Sequence, residues 1–178
     1  MRVWLWSSVA VALAVLAGCA SLSDNECRAG DWRGIGFSDG ASGRAPDHIE
    51  RHRKACADVG VSPDAAAWQT GRTEGLGVYC QPATAYRVAR RGGQLAPYCT
   101  AQQVAAMRPA YDFGTTYREF ERDINALRSD RQDVDFLIGD LPHDASQSRS
   151  RLYNERARID RRIFSLESRQ RRYAFWPG

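Results

Sequence analysis

Two heptad series joined through a Gly/Pro turn constrain this chain more than any other feature. The first runs Ala110, Phe113, Tyr117, Phe120, Ile124, Leu127, Arg131, Val134 and Ile138. The second runs Ala145, Arg149, Leu152, Arg156, Ile159, Ile163, Leu166, Gln170 and Tyr173. Alternating steps of three and four place these residues on one helical seam. Gly139-Asp140-Leu141-Pro142 breaks the pattern between them. Folding the chain at 141–142 pairs Ile138 with Ala145, Ile124 with Ile159, Phe120 with Ile163 and Tyr117 with Leu166. The expectation is an antiparallel coiled-coil hairpin over 108–174, with its turn at 139–144 and arms of about 28 residues, or about 42 Å. The arms differ in charge: residues 110–148 hold nine acids and four arginines, residues 149–172 nine arginines and three acids. Opposite flanks therefore attract. The seam is polar at Arg131, Arg149 and Arg156, where leucine would pack more tightly. Arginine stems pack in such a seam while their heads snorkel out, here towards Asp130, Asp133 and Asp135 or towards a partner. These three arginines are candidate interaction residues.

The opposite end reads as an address. Arg2 precedes an apolar run from Val3 to Val15, too short for a spanning helix, which needs about 20 residues, and suited to a secretory signal. Leu16-Ala17-Gly18-Cys19 resembles the bacterial lipobox. The resemblance implies cleavage after residue 18, acylation (palmitate included) of Cys19, and a lipidated tether over 19–26. Ala20, rather than Asp, follows the cysteine, which by the sorting preference of such proteins implies the periplasmic face of the outer membrane. Several acyl chains give stable anchoring where one does not. The remaining composition agrees with an exported soluble domain. A hydrophobic share of 43% excludes a fully disordered chain, and a mean hydropathy of −0.51 excludes a polytopic membrane protein.

Export gives the other cysteines their meaning. Cys27, Cys56, Cys80 and Cys99 are an even set with no Cys-x-x-Cys spacing, so disulfides are expected rather than zinc ligation. Four cysteines allow three pairings. Helices near 31–43 and 46–58 would bring Cys27 and Cys56 to one end, and a short helix after Cys80 would return the chain to Cys99, which favours Cys27–Cys56 with Cys80–Cys99. The expected fold class is therefore all-α: a small disulfide-stapled helical domain over 27–107, followed by the hairpin. Asp31 is an expected N-cap, Pro46 a first-turn residue, Gly60 a C-cap, and Ser62-Pro63-Asp64 a further helix start. Pro82 and Gly92-Gly93 bracket a short helix around Tyr86, and 101–107 reads as another.

A faint repeat runs through this half. Trp32, Gly36, Asp39 and Gly40 parallel Trp68, Gly71, Glu74 and Gly75, each series on one helical stripe. A glycine inside a helix costs about 1 kcal/mol relative to alanine, so Gly36, Gly40, Gly43, Gly71 and Gly75 point to close helix packing, with Trp32 and Trp68 as lids. No phosphate-loop spacing is present. The residues Glu26-Cys27, Asp31-Trp32, Gly36-x-x-Asp39-Gly40-x-x-Gly43, His52-x-x-x-Cys56, Gly60-Val61-x-Pro63-Asp64, Gly71-Arg72-x-Glu74-Gly75-Leu76-x-x-Tyr79-Cys80 and Tyr98-Cys99 resemble an uncharacterised bacterial lipoprotein family, domain of unknown function 2799, over about residues 26–117. Trp68 stands where that family's pattern leads one to expect tyrosine. Ala89 stands where a glycine would continue the repeat. The resemblance implies architecture and location, and it transfers no catalytic residue.

The chemistry on offer is sparse. His48-Ile49-Glu50-Arg51-His52 has two histidines one turn apart, but a metalloprotease helix needs glutamate directly after the first; a solvated helix face, with His52 near Cys56, is expected. His143 falls in the hairpin turn. Asp39 and Glu74 would form a carboxylate pair if the glycine stripes meet, although helix-end or arginine contacts are the simpler expectation. No metal and no cofactor is expected, and a lipid anchor in the envelope argues against nucleic acid. The reading is a non-enzymatic envelope lipoprotein. It reaches the membrane through its anchor and binds an envelope protein or an anionic envelope polymer. The alternative is an envelope enzyme acting on cell-wall or lipid substrates through Asp39, Glu74 or His52. A pocket joining those three residues would favour the enzyme.

Overall fold

The computed structural model describes residues 21–178, and the regular secondary structure there is all helix, without a strand. The expected signal peptide over 1–18, the expected lipidation position Cys19 and the sorting position Ala20 lie outside the described residues. The helices are α1 (Asp24–Ala29), α2 (Trp32–Ala41), α3 (Ile49–Cys56), α4 (Ala65–Tyr79), α5 (Pro82–Arg90), α6 (Ala101–Asp140) and α7 (Ser146–Gln170), with 3-10 turns at Pro46–His48, Ala57–Val59 and Arg171–Tyr173. They form two compact units. The first comprises the described residues up to Tyr79 together with Ala96–Tyr98; the second comprises Cys80–Leu95 and Cys99–Gly178. Among the described residues, no helix is long and apolar enough to cross a membrane.

In the first unit, local signals set most of the helix ends. Asp31 caps α2 by accepting from the Gly34 amide at 2.9 Å. Pro46 occupies the first turn of Pro46–His48, and Gly60 ends the 3-10 turn Ala57–Val59 with φ 70°. The segment expected as a tether instead contains α1, because Ser23 and Glu26 form a reciprocal capping box that satisfies the free amides of a short helix. Hydrogen bonds from Ser23 hold the Glu26 carboxyl below the usual carboxylate range. The helix start expected at Ser62 is made by Asp64, whose Oδ1 accepts from the amides of Ala66 and Ala67, both at 3.0 Å.

The packing of α2 on α4 is the centre of this unit. The helices run parallel. A Cβ at Gly36 would overlap the Trp68 carbonyl, and one at Gly40 the Arg72 carbonyl. Reciprocally, Gly71 faces the Arg33 carbonyl and Gly75 that of Phe37. The absence of four side-chain stubs lets backbone touch backbone, as the stripe pattern predicts. Gly43 is not part of this seam: it lies beyond α2 at φ 69°, against the Tyr79 ring. Trp32 and Trp68 are buried in one cluster with Cys27, Ile49 and Cys56. The Cys27–Cys56 disulfide ties α1 to the end of α3.

The second unit is built on α6. Thr100 and Gln103 cap it reciprocally, and it runs unbroken to Asp140. The separate helix expected over 101–107, and the boundary expected after it, fall inside α6, which also contains Pro109. A proline removes one hydrogen bond and clashes with the preceding turn. Here Met107 and Ala110, both 0% exposed, hold the helix in the core on either side. Ala89 stands where a glycine would continue the repeat, and the close approach is supplied from α6 instead: a Cβ on Gly114 would meet the Tyr86 carbonyl at 2.5 Å and the Ala89 Cβ at 3.0 Å. The Cys80–Cys99 disulfide ties the start of α5 to the residues just before α6, enclosing α5 and the loop after it.

Along α6 and α7, Leu127, Val134 and Ile159 are buried together, with Ile138, Leu152, Ile163 and Leu166 around them. The pairing is about one helical turn away from the expected register. Gln170 Nε2 donates to the Tyr117 carbonyl (3.5 Å), where Leu166 was the expected neighbour. Tyr173 lies against Phe113, 4.7 Å between centroids, rather than beside Ala110. The cause is the turn. Gly139 and Asp140 remain helical, and Leu141–Ala145 make the reversal. A slip of one heptad step keeps apolar residues on the seam, so periodicity alone does not oppose it.

The three candidate arginines are engaged within this helix pair. Arg131 pairs with Asp160 (3.0 Å) and Arg156 with Asp135 (3.2 Å). Arg149 Nη2 donates to the carbonyls of Leu141 and Pro142, at 3.1 and 3.0 Å. Asp130 and Asp133 receive none of these contacts. The C-terminal Trp176 is docked, its ring 5.4 Å from Phe113.

Candidate functional site

The sequence offers few buried polar groups, so the first unit's cluster of them stands out. Asp39 is the last acid on α2, one residue before a seam glycine, which holds its carboxylate close to α4. Its Oδ2 accepts from Trp68 Nε1 at 2.9 Å and lies 2.7 Å from His52 Nε2. His48 Nε2 is 3.7 Å from Asp39 Oδ1. His48 and His52 are one turn apart in sequence, on the same side of the helical segment, and their rings meet edge to face, with centroids 5.0 Å apart. On its other nitrogen, Nδ1, His52 meets Ser21 Oγ at 2.9 Å.

The expected solvated histidine face is therefore corrected: His52 is only 2% exposed and sits on a buried carboxylate. Burying a charge is costly unless it is paired, and here the pairing comes from two directions. Burial holds the His48 imidazole below its ordinary pKa. Asp39 pulls the other way, while His52, Arg44 and Arg51 add to the depression.

These groups line an open cleft of about 820 Å³ within the first unit. Its rim carries Glu26 and Asp58 against Arg44, Arg51 and Lys54. Glu74 does not reach it. The glycine stripes do meet, but Glu74 points to solvent and forms a bidentate pair with Arg33, at 2.5 and 3.3 Å. The carboxylate pair considered from sequence is thus not assembled, whereas Asp39 and His52 are brought together. Arg72, also buried, gives Nε and Nη2 to the Arg44 carbonyl and stacks 4.9 Å from the Tyr98 ring centroid. That contact holds Ala96–Tyr98 in the first unit without entering the cleft.

Sequence reasoning missed Ser21 and the joining of His48 to Asp39. The available signal was the coincidence of a one-turn histidine pair with an acid on a glycine-seam helix. A test against the metalloprotease spacing alone does not reveal it.

Residues 31–116 match the family described as "Protein of unknown function (DUF2799)". The cleft residues Asp39, His48 and His52 all fall within the match. No curated protein and no solved structure matches the chain.

Proposed function

We propose that the protein is a non-enzymatic lipoprotein of the bacterial envelope. In this reading it is anchored through acylated Cys19 on the periplasmic face of the outer membrane. It binds a second envelope protein through an antiparallel coiled-coil hairpin made by α6 and α7. The lipobox-like Leu16-Ala17-Gly18-Cys19 and the two disulfides support an exported, oxidised location. The observation that carries the binding reading is the exposed apolar side chains of this helix pair, Phe136 at 73% and Phe164 at 68%. Exposed apolar surface, where it is contiguous, marks a protein or membrane contact. Three of the arginines that would attract an anionic polymer, Arg131, Arg149 and Arg156, are drawn into ion pairs and carbonyl contacts of the same helix pair.

The enzyme reading draws its support from the Asp39–His52 contact in the cleft. It loses Glu74 to the Arg33 pair. Photocrosslinking amino acids placed at 136 and 164, together with palmitate labelling of wild type and Cys19→Ala, test the proposal in cells. The expected outcome is label lost in Cys19→Ala and one envelope protein crosslinked from both positions. Label retained in Cys19→Ala removes the anchor, and no protein adduct from either position removes the binding role.

A further inference from the structure

We propose that Asp39, His48 and His52 form a site for a divalent transition-metal ion of the zinc class, with an open coordination position facing the cleft. The three residues each offer one ligand atom, and these atoms all lie within 4.8 Å of one another. Zinc bonds of about 2.0–2.1 Å put neighbouring ligands roughly 3–3.5 Å apart. The His52–Asp39 separation of 2.7 Å and the His48–Asp39 separation of 3.7 Å straddle that value, so each histidine already stands near ligand spacing from Asp39. Two imidazoles and one carboxylate are a donor set suited to zinc and neighbouring first-row ions.

The surroundings are those of a metal site as well. A ligating histidine usually donates its other ring N–H to an oxygen, which turns the free lone pair to the metal. Ser21 Oγ stands 2.9 Å from His52 Nδ1 and fits that role, leaving Nε2 for the ion. Trp68 Nε1–H fixes the Asp39 carboxylate from the opposite helix. Three protein ligands leave a fourth position for water or another ligand, the arrangement of open rather than closed zinc sites. One carboxylate neutralises only half of a divalent charge, so an anion is the favoured fourth ligand. Arg44, Arg51 and Lys54 on the cleft rim add to that preference.

Equilibrium dialysis of the untagged, oxidised full chain in detergent against zinc chloride tests the site. The expected result is about one ion per chain, held at least tenfold more weakly by His48→Gln and by Asp39→Asn. His143→Gln, which alters the third histidine, leaves binding unchanged. X-ray absorption on the zinc-loaded wild type covers the case in which a variant fails to fold: two imidazoles with oxygen ligands and no sulfur are expected. Failure of the wild type to retain zinc, undiminished retention by His48→Gln, or a spectrum without two imidazoles would each overturn the proposal. The Asp39–His52 contact would then be a hydrogen-bonded pair and nothing more.

Discussion

A methyl group added at Gly36 would overlap the carbonyl of Trp68, and one at Gly71 the carbonyl of Arg33. The obstacle in each case is backbone, which cannot rotate away, so the α2–α4 pair has to separate. We expect Gly36→Ala and Gly71→Ala each to destabilise the fold by about 1–3 kcal/mol, the usual cost of overpacking a core. Gly139 supplies the contrast. It is helical, and a Cβ there meets nothing within 4 Å. Gly139→Ala should stabilise by about 0.4–1 kcal/mol through the lost freedom of the unfolded chain. Urea unfolding followed by circular dichroism checks all three, and an unchanged midpoint for Gly36→Ala would contradict the backbone contact. Asp39 is the other residue on which much converges, because its carboxylate answers both the Trp68 indole and the His52 imidazole.

Among the elements, α6 and α7 carry the sharpest test. Leucine at a seam position buries apolar surface worth about 1.5–3 kcal/mol, which argues for stabilisation at Arg131, Arg149 and Arg156 alike. Their contacts separate them. Arg131 and Arg156 make half-exposed ion pairs, each worth about 0.2–1 kcal/mol, so Arg131→Leu and Arg156→Leu should raise the melting temperature. Arg149 holds two carbonyls at the turn that ends α6, and those acceptors lose their partner in Arg149→Leu. We expect that variant to gain less than the other two, or to melt lower than wild type. Calorimetry of the three single variants decides the order, and equal gains would mean that the turn does not depend on Arg149. Of the cross-helix ion pairs, Arg156–Asp135 follows the charge asymmetry of the arms, whereas Arg131–Asp160 and Arg128–Glu167 run the opposite way, each from an arginine of α6 to an acid of α7.

For the whole molecule, each disulfide serves one unit. Cys27–Cys56 closes a 29-residue separation in the first and Cys80–Cys99 a 19-residue separation in the second. In the chain-entropy account each contributes about 3–4 kcal/mol. The double variant Cys27→Ser/Cys56→Ser should therefore lose exchange protection in α2 and α4 while α6 and α7 retain theirs. Cys80→Ser/Cys99→Ser should do the reverse. Hydrogen exchange read by mass spectrometry checks both. Uniform loss across both units in either variant would show that each disulfide supports more than its own unit.

What the sequence determined by itself is local or periodic. Cap residues such as Asp31, Pro46 and Gly60 act on neighbouring amides, glycine stripes announce close packing, and heptads define which face of a helix is buried. The expected helix lengths favoured one of the three cysteine pairings without determining it, and the packed helices made that choice. Tertiary structure decided what these signals leave open. A heptad defines a seam but not its partner's register, so the length of the 141–145 turn and the aromatic contacts of Phe113 chose a pairing one turn from the expected one. Pro109 reads locally as a break, yet burial of Met107 and Ala110 carries the helix through it. Asp39 and Glu74 occupy equivalent places in the repeat, and only the packed helices distinguish them: one is buried against His52 beside the open cleft, the other faces Arg33 in solvent. That difference arises because α3 packs against one side of the α2–α4 pair, a long-range arrangement that no periodicity along the chain encodes.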